Sequence, residues 1–368
     1  MIKEIDLQRP QDRHHLHGAL HDGVFLVRST VTESLLQEAY GFLSAFFGLT
    51  PEQKRTCRVP GGTGRAGYTP PAGPGQRGPA AGGRELFGWG ATLPAGHPLR
   101  VRYPARYPAP YFPDHLVPGI GAALRELHTR MLRLQHEVLH TLAGALGAHP
   151  DYFTDMLQDG PATSRAAWYP PARQTPRTAP QAAAAQQAGA VQQAGAAPHQ
   201  DPGMDPGQGH GLGMGQGMGQ GMGMGMGMGM DPGLGQGMDP GLGMGLITTV
   251  PRAAAAGTDV RVEGRWLPAE APPGYALVTV GLVLDRLTGG LARAAAHRAA
   301  PPPGPDTGRL SLAQCCHPAP WTTLTPLRPP GAAHGPQRFA TLTADELFQR
   351  TLYRTGRPGA PGTAAPAR

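Results

Sequence analysis

The chain of 368 residues carries 55 Gly and 42 Pro, a formal net charge of +7 and 40% hydrophobic residues. No run of about 18 apolar residues occurs, which excludes a membrane-spanning helix. The arginines form no basic stripe interleaved with aromatics of the kind nucleic acid requires, and they read as a solvated surface.

Cysteine usage and the N-terminus point to a compartment. Cys57, Cys315 and Cys316 contain no CxxC pair, so a disulfide framework is not expected and a reducing environment suits them. The opening MIKEIDLQRP lacks an apolar signal core, and the chain is expected to be cytoplasmic and monomeric.

In chain order, Gly23-Val24-Phe25-Leu26-Val27 reads as a turn followed by a buried strand. Thr32 then caps a helix whose apolar face is Leu35, Leu36, Ala39, Phe42, Leu43, Phe46 and Phe47, stopped by Gly48 and Pro51. Residues 58–118, rich in Gly, Pro and Tyr, are expected to be ordered loop. A second helix is predicted from about Gly121 to Leu146, because Leu124, Leu127, Met131, Leu134, Val138 and Leu142 recur every three or four residues. It carries His128, His136 and His140, but no HExxH pattern or acidic partner accompanies them, which argues against a metal site there.

Composition changes after Tyr169-Pro170-Pro171. Residues 172–197 form an Ala/Gln/Pro-rich segment, 198–201 a short candidate metal motif, and 202–244 a Gly/Met-rich tract holding ten of the 13 methionines. So much glycine cannot bury enough apolar area to offset its ordering entropy, and the tract is predicted to be disordered. Its Met-x-Met repeats and His210 contain soft donors suited to Cu(I), but repeat expansion without function is the favoured explanation.

From Gly245 the pattern is β. Leu246–Val250, Val260–Val262, Arg265–Leu267, Ala276–Val280 and Arg309–Cys316 are predicted strands, with Glu263-Gly264 as a hairpin turn. Residues 1–171 are expected to form an N-terminal α/β cap and first sheet elements, 245–330 the second half of the sheet domain, and 331–368 a C-terminal helix and tail. The fold expected is α+β, mainly β: a double-stranded β-helix (jelly-roll) core with flanking N-terminal helices.

His199-Gln200-Asp201 places an imidazole and a carboxylate on one face of an extended chain, because residues i and i+2 point the same way. With a second imidazole on a later strand, for which His297 is available, they make a 2-His-1-carboxylate triad suited to non-heme Fe(II). Asp205, Asp231 and Asp239 are alternative carboxylates, but Asp201 alone keeps the HxD spacing. Arg309 and Ser311 again share a face, and a guanidinium fork beside a hydroxyl suits a carboxylate.

Residues 265–328 resemble the C-terminal half of the isopenicillin N synthase-like family of Fe(II)/2-oxoglutarate-dependent oxygenases. The resemblance lies in Pro272-Pro273-Gly274 before a strand, Val280-Gly281 leading to Asp285-Arg286-Leu287-Thr288-Gly289-Gly290, His297-Arg298, and Arg309-x-Ser311. Upstream, His199-x-Asp201 followed by Gly245-Leu246-Ile247-Thr248, and Tyr169-Pro170-Pro171, are similar to the family's proximal elements. Phe87-Gly88-Trp89-Gly90 and Gly67-Tyr68-Thr69-Pro70 match more loosely. His297 lies 96 positions after Asp201, and without the 43 residues of 202–244 the separation is 53, close to the family's usual spacing.

The resemblance implies Fe(II) on His199, Asp201 and His297, with 2-oxoglutarate on Arg309, Ser311 and Tyr169. It also implies O2-dependent oxidation of a C–H bond in a small-molecule metabolite, by hydroxylation, desaturation or cyclisation. Two other readings stay open: an iron oxidase of the same family that does without 2-oxoglutarate, and a non-catalytic jelly-roll scaffold or metal-binding protein with a disabled site.

Overall fold

The computed structural model of the chain describes residues 2–5, 7, 12–59, 64–71, 83–171, 241–252, 258–299, 308–327 and 339–354. All of them belong to one of two units, Met1–Thr175 with Gly227–Arg368. The disorder predicted for 202–244 lies outside the described residues over 202–240, whereas 241–244 are ordered, with a short strand from Gly241 and a buried Met244.

The first elements are β1 (Lys3–Ile5), α1 (Asp12–Asp22), β2 (Val24–Arg28), α2 (Glu33–Phe47) and α3 (Pro51–Arg55). Helix α2 begins where expected, with the Thr32 hydroxyl accepting from Leu35 N. Helix α3 begins in a capping box between Thr50 and Gln53, with Pro51 in the first turn where no N–H is needed. Next come β3 (Gly67–Thr69), β4 (Glu85–Gly90), α4 (Pro98–Arg102), α5 (Ile120–Ala145), α6 (Tyr152–Leu157) and β5 (Ala162–Tyr169). The remainder is β6 (Gly241–Leu242), β7 (Ile247–Val250), β8 (Thr258–Val262), β9 (Arg265–Pro268), β10 (Tyr275–Val280), α7 (Leu282–Leu287), β11 (Ala296–Ala299), β12 (Arg309–Cys316) and α8 (Ala344–Arg354).

Eight strands form one sheet in the order β1-β2-β10-β7-β12-β5-β4-β3, antiparallel except for β1 beside β2. Four more form a second sheet, β6-β11-β8-β9. The β8–β9 hairpin turns at Glu263 (φ 48°) and Gly264 (φ 80°), the paired positive φ angles that match strand twist in a two-residue turn.

Alternation along the strands assigns each face of the large sheet to a different layer. Phe25, Val27, Ile247, Ala276, Val278 and Val280 meet α1, α5 and α6 in one buried cluster. Phe87, Trp89, Ala166 and Leu312 meet α2 and α5 in another. The opposite face sends Val24, Leu26 and Leu277 toward Val260, Val262, Ala269 and Ala295, so the two sheets enclose an interior of their own. The order of layers is helices, large sheet, small sheet.

Three features differ from the sequence reading. Residues 58–118 contain β3, β4 and α4 as well as loop, because Gly88 and Gly90 interrupt an alternation that Leu86, Phe87 and Trp89 otherwise carry. Strand β5, in which small and polar residues precede Trp168 and Tyr169, has no apolar alternation in sequence. Strand β6 starts at Gly241, inside the tract assigned to 202–244.

A polar seam ties α5 to the large sheet. Gln135 Nε2 donates to Gln314 O at 2.8 Å, Ser164 Oγ donates to Gln314 Oε1 at 2.7 Å, and His128 Nδ1 lies 2.8 Å from Ser164 Oγ. Burial lowers the pKa of His128 from 6.5 to about 4. Between those values the unfolded chain binds the proton and the folded chain does not. Stability is therefore full above about pH 6.5 and falls as pH drops toward 4. Urea unfolding of His128→Gln should lose less stability than the wild type between pH 6.5 and 4.5, by up to about 1.4 kcal/mol per pH unit for the one proton. An unchanged slope would show that His128 does not govern this window.

Candidate active site

Strands β5 and β12 pair over eight residues, from Arg309 opposite Tyr169 to Cys316 opposite Ala162. Leu310, Leu312 and Gln314 face the helices. By alternation Arg309, Ser311, Ala313 and Cys315 face the inter-sheet interior, alongside Tyr169, Ala167, Arg165 and Thr163 of β5.

At one end of this face the Arg309 guanidinium lies 4.1 Å from the centroid of the Tyr169 ring. Arg84, one residue before β4, reaches the same phenol, and both arginines donate to Tyr169 Oη. Arg84 is 3% and Arg309 8% exposed. Burial pushes the Tyr169 hydroxyl up in pKa, against the pull of the two guanidiniums, and pushes both arginines down. The phenol stays neutral, so two buried positive charges share a neutral acceptor. That arrangement suits a carboxylate, which both forks can hold in bidentate fashion.

His297 is central in β11, opposite Val260 of β8 and Gly241 of β6. It shares a face with Val260, which is buried in the inter-sheet cluster, and is itself buried. Its Nδ1 lies 3.2 Å from Ala295 O. With Nδ1–H donating to that carbonyl, the acceptor lone pair sits on Nε2, the tautomer that metal-ligating histidines use. Burial holds the ring neutral.

The structure thus brings His297, Arg309, Ser311 and Tyr169 to the interior between the sheets. His199 and Asp201 lie outside the described residues, among which no three metal-capable side chains gather. The stretch that contains them leaves the described chain just after Tyr169-Pro170-Pro171 and rejoins it at Gly241, the partner of His297. Of the histidines on α5, His128 belongs to the polar seam and His140 pairs with Asp151 at 3.7 Å.

Four arginines depart from the expected solvated surface: Arg65, Arg84, Arg106 and Arg309 are each 8% exposed or less. Arg84 could have been suspected from its i, i+2 relation to Leu86 on a short strand. Arg65 and Arg106 come from loops and carry no local signal.

No protein-family model matches the sequence, and no curated protein matches it. Solved structures do. A protein from Caulobacter crescentus assigned to the 2OG-Fe(II) oxygenase family aligns with a TM-score of 0.70 at 21% identity, over 96% of this chain and 98% of that one. A full-length Neurospora crassa protein in complex with alpha-KG and thymine aligns with 0.68 at 16%, over 96% and 97%. The dioxygenase for auxin oxidation from rice aligns with 0.62 at 20%, over 97% and 96%. At these identities the likeness is one of fold: the chain is a mixed α/β protein with the large, mostly antiparallel sheet those proteins share. Among the described residues no helix is long and apolar enough to cross a membrane.

Gly88 shows how tightly this face is built. A Cβ there would lie 2.6 Å from the Arg65 carbonyl carbon. Gly88→Ala must therefore displace backbone, and it should lower stability by about 1–3 kcal/mol, read as a lower thermal midpoint. A midpoint equal to that of the wild type would mean that the 64–65 segment yields freely.

Proposed function

We propose that the chain is an Fe(II)- and 2-oxoglutarate-dependent oxygenase of double-stranded β-helix (jelly-roll) fold, similar to isopenicillin N synthase, acting on a C–H bond of a small molecule. The observation that carries this reading is the buried Arg309–Tyr169–Arg84 group on the inner face of one sheet, with a neutral, buried His297 on the inner face of the other. An imidazole for a metal and paired guanidiniums for a dicarboxylate are the donor set that Fe(II) and 2-oxoglutarate need. The fold likeness supports the same reading, as does the presence of alpha-KG and thymine in the Neurospora crassa complex.

His297 would hold the metal through Nε2, and His199 and Asp201 would complete the triad. Asp239 is the rival carboxylate, because it stands two positions before Gly241, the residue paired with His297. Bound Fe(II) with 2-oxoglutarate supplies the O2-dependent oxidising power. The chain's own part is to hold the distal carboxylate of 2-oxoglutarate on Arg309, with Ser311 and Tyr169 donating beside it, and to keep water out between the sheets.

Anaerobic titration with Fe(II) and 2-oxoglutarate, followed by visible charge-transfer absorbance, tests this. The wild type should develop the band, and His199→Ala, Asp201→Ala and His297→Ala should each lose it. A band that survives Asp201→Ala and vanishes in Asp239→Ala moves the carboxylate ligand. Arg309→Leu should weaken 2-oxoglutarate binding roughly 30-fold or more, equivalent to about 2–4 kcal/mol for a buried charge-assisted pair. A wild type that binds neither iron nor 2-oxoglutarate would favour the scaffold reading. Iron-dependent turnover indifferent to 2-oxoglutarate would favour the oxidase.

A further inference from the structure

The inner row of β12 continues past Ala313 to Cys315, and His317 follows the strand. Cys315 lies six residues from Arg309, about 20 Å along an extended strand. Here a second pair of buried arginines gathers. The guanidiniums of Arg65 and Arg106 lie 4.4 and 4.2 Å from the ring centroid of Phe348 on α8.

Arg106 is 3% exposed, and its Nε and Nη1 are buried without a hydrogen-bond partner. Burial lowers its pKa to about 10, against the pull of Asp345, a half-buried carboxyl whose Oδ1 is itself without a partner. His317 adds no charge, because burial and the two arginines hold it neutral. Arg106 therefore faces the Asp345 carboxyl with part of its own fork left unsatisfied inside the protein, a costly arrangement unless an anion completes it.

The surroundings are apolar and adjoin the site already described. Met244 and Phe348 are buried together, with Ala105 and Leu282 packed on them. Met244 stands three residues after Gly241, the partner of His297. At Gly245 a Cβ would meet Cys315 Sγ at 2.5 Å, so the chain leaving β6 is pressed against this end of β12.

We propose that Arg106, assisted by Arg65, binds the carboxylate of the substrate, and that the substrate is a monocarboxylic acid whose apolar body lies against Phe348, Met244 and Leu282. The role as substrate rests on the oxygenase reading; the carboxylate site does not. It is separate from the Arg309 end, which serves the cosubstrate.

Calorimetric titration with phenylacetate, and with phenylacetamide as its uncharged counterpart, tests the site directly. The wild type should bind the acid at least tenfold more tightly than the amide, and Arg106→Met should raise the Kd of the acid at least tenfold while leaving the amide unchanged. If Arg106→Met does not fold, Arg106→Lys decides: it keeps the charge and loses the fork, so a tenfold rise for the acid alone supports the site. Equal binding of acid and amide by the wild type, or an acid Kd untouched in the variant that folds, overturns it. Binding of 2-oxoglutarate with Fe(II) to the wild type is measured in parallel. Its failure would remove the oxygenase reading while leaving the carboxylate result to stand or fall by itself.

Discussion

The eight-residue antiparallel pairing of β5 with β12 is the constraint on which the rest depends. Because side chains alternate, one register commits Ser164 and Gln314 to the α5 seam and Tyr169 and Arg309 to the opposite face. A slip by one residue would exchange the two sets. It would place guanidiniums against Leu124 and Leu127 and leave the buried amide of Gln135 without its carbonyl. The seam is thus a register lock as well as a source of stability, and the inner face inherits its precision from the outer one.

The inner face carries an unusual electrostatic load. Arg84 and Arg309 meet at a phenol that burial keeps neutral, and Arg65 and Arg106 meet at a phenyl ring. Stacking on aromatic faces partly offsets the loss of water around a guanidinium, which is less strongly hydrated than an ammonium, and this explains why the residue used is arginine. Elsewhere a buried cation is matched in the ordinary way: Lys54 pairs with Glu85 at 2.6 Å, and Glu85 also accepts from Tyr68 Oη at 2.7 Å.

The long low-complexity stretch interrupts this architecture at one joint, between the end of β5 beside Arg309 and the start of β6 beside His297. Closing a loop costs entropy only as the logarithm of its length, about 0.6 kcal/mol for each doubling, so a fold tolerates such an insertion where its two ends are independently held. Both ends are held here, one by the β5 ladder and the other by the pairing of Gly241 with His297 and the packing of Met244 on Phe348.

Periodicity determined a great deal before any coordinates. The long helix, predicted from about Gly121 to Leu146, runs from Ile120 to Ala145; the hairpin at Glu263-Gly264 and the strands at Val24, Ala276 and Arg309 also fall where the pattern put them. Those signals are local, set by side-chain repeat and turn geometry within a dozen residues. Motif spacing likewise singled out His297, Arg309 and Ser311, the family resemblance added Tyr169, and all four share the inter-sheet interior. What the chain alone left undecided is which polar residues become buried. Arg84 joins Arg309 only because β4 pairs with β5, and Arg65 joins Arg106 only because a loop, a short-helix exit and the C-terminal helix converge on Phe348. An arginine in sequence reads as solvated until a neighbour distant along the chain takes its water away, and that neighbour is supplied by tertiary structure alone.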